Sequence, residues 1–179
     1  DFVVTEAGFG ADLGAEKFYN IKCRKTGLTP SATVLVVTAQ ALKMHGGVPY
    51  EEIKQPNLEG LKRGFWNLDK HVENIHRFGQ KIVVAFNRYA EDTDEEIEAV
   101  RQHCEEELGV AFAVNNAFTE GGKGAEELAN TVVKTIDDED AQGGSPKLKL
   151  LYNDDDDVKD KITAVAKNIY GAGTISFSD

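Results

Sequence analysis

Apolar residues along the chain fall into short continuous runs, separated by longer stretches in which they recur every three or four positions. The runs are Phe2–Val4, Ala32–Thr38, Lys81–Asn87 and Val110–Val114. Each is bounded by turn or polar residues and does not alternate, the pattern of strands covered on both faces. Between the second and third runs, Leu58, Leu61, Phe65, Leu68, Val72, Ile75 and Phe78 follow at helical spacing, which predicts one long helix closed by Gly79. Ile97, Val100, Cys104 and Leu108 predict another, opened by a Thr93/Glu96 capping box and ended at Gly109. Leu128, Val132 and Ile136 mark a third, starting near Ala125. A short helix is expected over Ala39–His45, closed by Gly46 and Gly47. After the first run, Gly8, Gly10 and Gly14 lead into a helix start at Ala15–Phe18, then a basic loop through Lys22, Arg24 and Lys25. Asp137–Ser145 reads as an acidic connection, and Lys147–Tyr152 alternates like a partly exposed strand. The carboxylates Asp154–Asp157 stand at the start of a final helix, where they complement its dipole. Strand alternating with helix predicts an α/β fold with a mainly parallel sheet and helices on both faces.

At 179 residues and 41% hydrophobic content the chain suits one globular domain. Two parts are expected, an α/β ligand-binding core over 1–146 and a truncated strand–helix continuation over 147–179. No apolar run approaches the ~20 residues of a membrane helix. The formal charge of −11 disfavours nucleic acid or an anionic membrane as the main partner. Cys23 and Cys104 fit neither a disulfide framework nor a zinc spacing, which suits a reducing, cytoplasmic setting. The chain opens on Asp1 within its first apolar run and ends at Asp179 with no stop signal. It reads as an internal piece of a larger protein.

Ligands of parallel sheets gather beyond the carboxyl ends of the strands. The four expected exits are Glu6 with the glycine loop, Thr38–Lys43, Asn87–Tyr89 and Phe118–Lys123, all rich in groups able to bind. Several nucleotide motifs fail here. Gly8-Phe-Gly-Ala-Asp-Leu-Gly14 has Leu13 where G-x-G-x-x-G needs glycine, and the next strand ends in Thr38-Ala39-Gln40 without the expected acid. Near Gly121-Gly-Lys-Gly124, Ala117 and Gly124 replace residues that a Walker A loop requires. Asn87-Arg88 lacks a guanine-reading aspartate, since Ala90 stands there. Glu6 is the strand-end carboxylate able to hold a magnesium-bound water, or equally to bind its own loop amides. His71 has no partner at metal-ligand spacing and reads as a partly buried polar residue.

The run Thr5-Glu-Ala-Gly-Phe-Gly-Ala-Asp-Leu-Gly-Ala-Glu-Lys-Phe18 resembles a signature of the formate–tetrahydrofolate ligase family. The resemblance continues through Asn20–Arg24, Val36–Gly47, Asn67–Ile75, Lys159–Ile162 and Ile169–Gly171, nearly the whole chain. It implies a P-loop NTPase-like three-layer architecture in which ATP, with magnesium, meets formate and tetrahydrofolate at the sheet's carboxyl edge. Formate attacks the γ-phosphate to give formyl phosphate, and N10 of the folate takes the formyl group. The phosphate loop would lie upstream, so the segment alone is expected to be inactive, within a homo-oligomeric full-length enzyme. The strand exits place Glu6 on the reacting side and Gly8, Gly10, Asn87, Gly121 and Gly122 at the ligand, and the resemblance implies that the pterin stacks at Tyr89, Ala90 and Phe118. Tyr89 and Ala90 replace the phenylalanine and proline usual in Asn-x-Phe-Pro, Phe118 replaces a tryptophan, and Gln40 replaces an arginine. A non-catalytic folate- or nucleotide-binding module of the same fold is the other reading of those four departures.

Overall fold

Three of the five expected strands form and pair in the computed structural model, which describes residues 2–141 and 147–178 (for 139–141, backbone only). β1 (Thr33–Val37), β2 (Ile82–Asn87) and β3 (Ala111–Asn115) make a parallel sheet in the order β1-β2-β3. The register sets Thr33 beside Ile82 and ends with Asn87 beside Asn115, so the polar residues closing β2 and β3 share one edge. Ile82 to Phe86 are buried without interruption, as expected for a central strand.

On one face, Leu35, Val37, Val84, Phe86, Phe112 and Val114 meet Leu42, Leu61, Leu68, Val72, Ile75, Ile97 and Val100 from the crossover helices. Burying each such side chain contributes about 1.5–3 kcal/mol, so the helical stripe read in the sequence is what docks these helices. The helix Glu126–Ala141 packs on β3 and β2, and the helix Val158–Asn168 follows the acidic run at its predicted place. A second cluster of Tyr19, Cys23, Phe78 and Ile169, with Leu148, Leu151 and Val165 against it, ties the C-terminal stretch to the first helix.

Several expectations are corrected. Phe2–Val4 forms no strand, and Val3 and Val4 are 92% exposed. A strand exists only where a partner satisfies its backbone, and no described strand lies beside this run. β1 is covered on one face rather than two. Val34 and Val36 are exposed because the Glu126–Ala141 helix lies against β2 and β3. The expected basic loop after Phe18 is helical. Gly14–Lys17 runs on through a wider π turn, Phe18–Cys23, and Arg24–Thr26 to Gly27, whose φ of 71° stops it. The helix persists because Tyr19 and Cys23, four apart, both face the second cluster, while Asn20 Nδ2 donates to Glu16 Oε1 at 2.7 Å. The single helix expected from Leu58 is two, Leu58–Arg63 and Phe65–Arg77, divided at Gly64. Asp137–Ala141 extends the preceding helix rather than linking elements; the rest of that expected connection lies outside the described residues. Lys147–Tyr152 is irregular: the Lys149 amide donates to the Phe78 carbonyl and the Leu151 amide to Asn20 Oδ1, in place of a strand edge.

Candidate functional site

The carboxyl ends of the strands hold most of the expected binding residues, each placed by a local device. Thr38 leaves β1 extended and caps the Ala39–His45 helix, its hydroxyl accepting from the Ala41 amide at 3.1 Å. That hydroxyl serves as the helix cap. At the end of β2 the chain turns through Arg88, Tyr89 and Ala90. Asp92 closes this turn: its Oδ2 accepts from the Tyr89 amide at 2.8 Å, and its own amide donates to the Tyr89 carbonyl at 3.1 Å. The Tyr89 ring is left 39% exposed. After β3, Ala117–Glu120 makes one helical turn and Gly121–Ala125 a tighter one. Phe118 on that turn is 89% exposed, and Gly121 and Gly122 have open space where a side chain would stand.

Asn87 and Asn115 join the last two exits. Asn115 Nδ2 donates to Asn87 Oδ1 at 2.8 Å, and Asn115 Oδ1 accepts from the Ala117 amide at 3.1 Å. The structure thus brings Asn87, Tyr89 and Ala90 to one edge with Phe118, Gly121 and Gly122. Glu6, Gly8 and Gly10 are exposed, with no described hydrogen bond or ion pair linking them to that edge. Part of the glycine pattern has a packing cause. A Cβ on Gly14 would stand 1.8 Å from the Gly8 carbonyl oxygen, so Gly14 lets the loop fold back on its helix. Phe9, which the sequence did not single out, sits in the left-handed region at φ 66° and is 92% exposed.

Beneath the Tyr89 turn lies a buried charge network that the sequence also missed. Lys43 and Glu96 are essentially without exposure and pair at 3.0 Å. Lys43 Nζ donates further to the Gln55 carbonyl at 2.9 Å. Glu96 accepts from the Asn57 amide at 2.9 Å and completes the Thr93 capping box. Burial pushes Glu96 up, but the Asn57 amide, the Lys43 ammonium and the Thr93 amide outweigh it and hold the carboxyl below its usual range. Nearby Asp92 goes the other way: burial raises it in spite of the Tyr89 amide and Lys43. The signal in the sequence was Lys43 itself, which shares the buried helix face of Ala39 and Leu42.

Neither cysteine is built to react. Cys104 is fully buried and its thiol is pushed up to about 12, chiefly by burial. We expect no alkylation of native Cys104 at pH 8, checked by mass after iodoacetamide; modification before unfolding would contradict that burial. His71 is half-buried with Nδ1 unpartnered, and burial lowers its pKa against the pull of Asp12. Among the described residues no group of three or more His, Cys, Asp or Glu side chains is placed to hold a metal, and no helix is long and apolar enough to cross a membrane. Two surface clefts lie away from this edge. One is lined by Lys81, Ile82, Val110 and Ala111, at the amino ends of β2 and β3. The candidate site is an edge carrying two exposed aromatic residues, Tyr89 and Phe118.

Comparison with known proteins agrees with the resemblance read from the sequence. The family description "Formate--tetrahydrofolate ligase" matches residues 1–179. The chain is 61% identical over 178 residues to a formate–tetrahydrofolate ligase of Bacteroides fragilis, covering 99% of this chain and 31% of that protein. It is 60% identical to the protein of the same name from Phocaeicola vulgatus over 99% of this chain and 31% of that one, and 46% identical to that from Haloarcula marismortui over 99% and 32%. The chain thus spans about a third of the length of these relatives.

Proposed function

The chain belongs to the formate–tetrahydrofolate ligase family, and we propose that it supplies the folate-stacking wall of an enzyme that joins formate to tetrahydrofolate at the expense of ATP. In that reaction formate attacks the γ-phosphate to give formyl phosphate, and N10 of the folate displaces the phosphate. Catalysis of this kind is mostly positioning and charge stabilisation, which suits a site assembled from strand ends.

One observation carries the assignment to this edge. Tyr89 and Phe118 are exposed aromatic residues on the turns after adjacent parallel strands, whose final residues Asn87 and Asn115 are in register and bonded. Exposing a phenylalanine ring without partners forgoes its burial, and a flat ligand recovers it by stacking. A π face is all that stacking needs, so tyrosine and phenylalanine serve here. Gly121 and Gly122 leave room beside Phe118, and Ala90 leaves room beside Tyr89. Glu6 and the Gly8–Gly10 loop are the proposed reacting-side wall. Magnesium, held largely by the nucleotide phosphates as it usually is, would meet Glu6 as an exposed carboxylate of this wall.

Phe118→Ala in the full-length enzyme tests the wall. Stacking contributes about 1–3 kcal/mol per ring, so tetrahydrofolate should bind roughly ten-fold or more weakly. The melting temperature should not move, because the ring is exposed. Unchanged folate affinity would remove Phe118 from the site. The 179-residue chain alone, which contains no Walker A loop, is expected to form no formyltetrahydrofolate from ATP, formate and tetrahydrofolate.

A further inference from the structure

The hydrogen bonds at the edge fix more than position; they fix polarity. A backbone N–H donates only to an acceptor, so the Ala117 amide identifies the Asn115 atom at 3.1 Å as oxygen. The other end of that carboxamide is then Nδ2, and it donates to Asn87 Oδ1 at 2.8 Å. With its oxygen occupied, Asn87 has its Nδ2 left over, without a described partner on a half-exposed residue. Asn87 and Asn115 are register partners, so both side chains leave the sheet on one side. Tyr89 and Phe118 stand two and three residues beyond these asparagines, on the turns that follow β2 and β3.

We propose that the relay Ala117 N–H to Asn115 to Asn87 makes this edge an obligate hydrogen-bond donor, which selects a fused heterocycle by a carbonyl oxygen on its rim. Asn87 is the specificity-determining contact and Asn115 its positioning residue. The assignment rests on the reading of this edge as the folate wall. A pterin carrying its ring carbonyl satisfies the donor, whereas one carrying an amino group there sets donor against donor and leaves both unpaired.

The experiment measures binding of tetrahydrofolate and of its 4-amino-4-deoxy analogue to the full-length protein. The wild type should favour the carbonyl form by about ten-fold. In Asn115→Asp one carboxylate oxygen still accepts from the Ala117 amide, and the other accepts from Asn87. The Asn87 amide must then turn, donating Nδ2 to Asp and presenting Oδ1 outward. The preference should disappear or reverse, which a purely structural defect would not produce. Asn87→Asp makes the same reversal without touching Asn115, and it decides the matter if Asn115→Asp does not fold. Retention of the wild-type preference in both variants, or an equal loss for both ligands, would overturn the relay. Failure of the wild type to bind either ligand would instead remove the folate reading beneath it.

Discussion

Lys43→Met is expected to lower stability by about 3–5 kcal/mol, the usual cost of removing one partner from a buried ion pair. Methionine replaces the lysine stem in volume, so little of that loss comes from a cavity. The loss comes from Glu96, whose carboxylate stays fully buried with only the Asn57 and Thr93 donors, and from Asp92, which loses the favourable field of Lys43. The pH dependence carries a sign that identifies the cause. In the wild type Glu96 is held below its usual range, so its contribution is present above the unfolded carboxyl pKa and is lost as pH falls through the folded value. Without Lys43 the folded value rises, so protonation on acidification relieves the buried charge. The deficit should therefore shrink between about pH 7 and pH 4, as read by urea unfolding at several pH values. A second change, Glu96→Gln, keeps a capping-box side chain and removes the stranded charge. It should recover a large part of the loss in the Lys43→Met background. A deficit that is constant with pH, or no recovery, would mean that Lys43 acts by packing alone.

Gly64→Ala should destabilise by about 3 kcal/mol, the scale of overpacking at a site that cannot relax. Helix propensity argues the opposite. Gly64 has ordinary right-handed angles, φ −84° and ψ −6°, where alanine would gain up to about 1 kcal/mol. Space decides it: a Cβ there would lie 1.9 Å from the Leu42 carbonyl oxygen, and a backbone atom cannot swing away as a side chain can. On the opposing side, a Cβ on Gly46 would lie 1.8 Å from the Gly60 carbonyl oxygen, so the two backbones approach through glycine on each. For a chain of this size the melting temperature should fall by roughly 10 °C. A variant as stable as the parent would show that the helices can part without cost. The consequence reaches the site, since the same approach seats the Ala39–His45 helix and its buried lysine.

What could be read along the chain was what local chemistry specifies. The stripe from Leu58 to Ile75 docks on the sheet, Thr93 and Glu96 form their capping box, and Asn87 closes its strand while Tyr89 and Phe118 fall just beyond strand ends, where parallel sheets collect ligands. The glycine-rich run carries the family signature in its residues alone. Local pattern was not enough for Phe2–Val4 or Lys147–Tyr152, apolar enough for strands yet without a strand partner. Nor did it separate the helix at Gly64, or show that this glycine admits the Leu42 carbonyl across the interface. The buried pairing of Lys43 with Glu96, 53 positions apart, and the bond that Asn115 donates to Asn87 belong to the tertiary structure alone. Periodicity, caps and turns depend on neighbours a few residues away, so the sequence determines them. Desolvation and strand pairing depend on groups that only folding brings together, and those decided which polar residues are buried and which are left to meet a ligand.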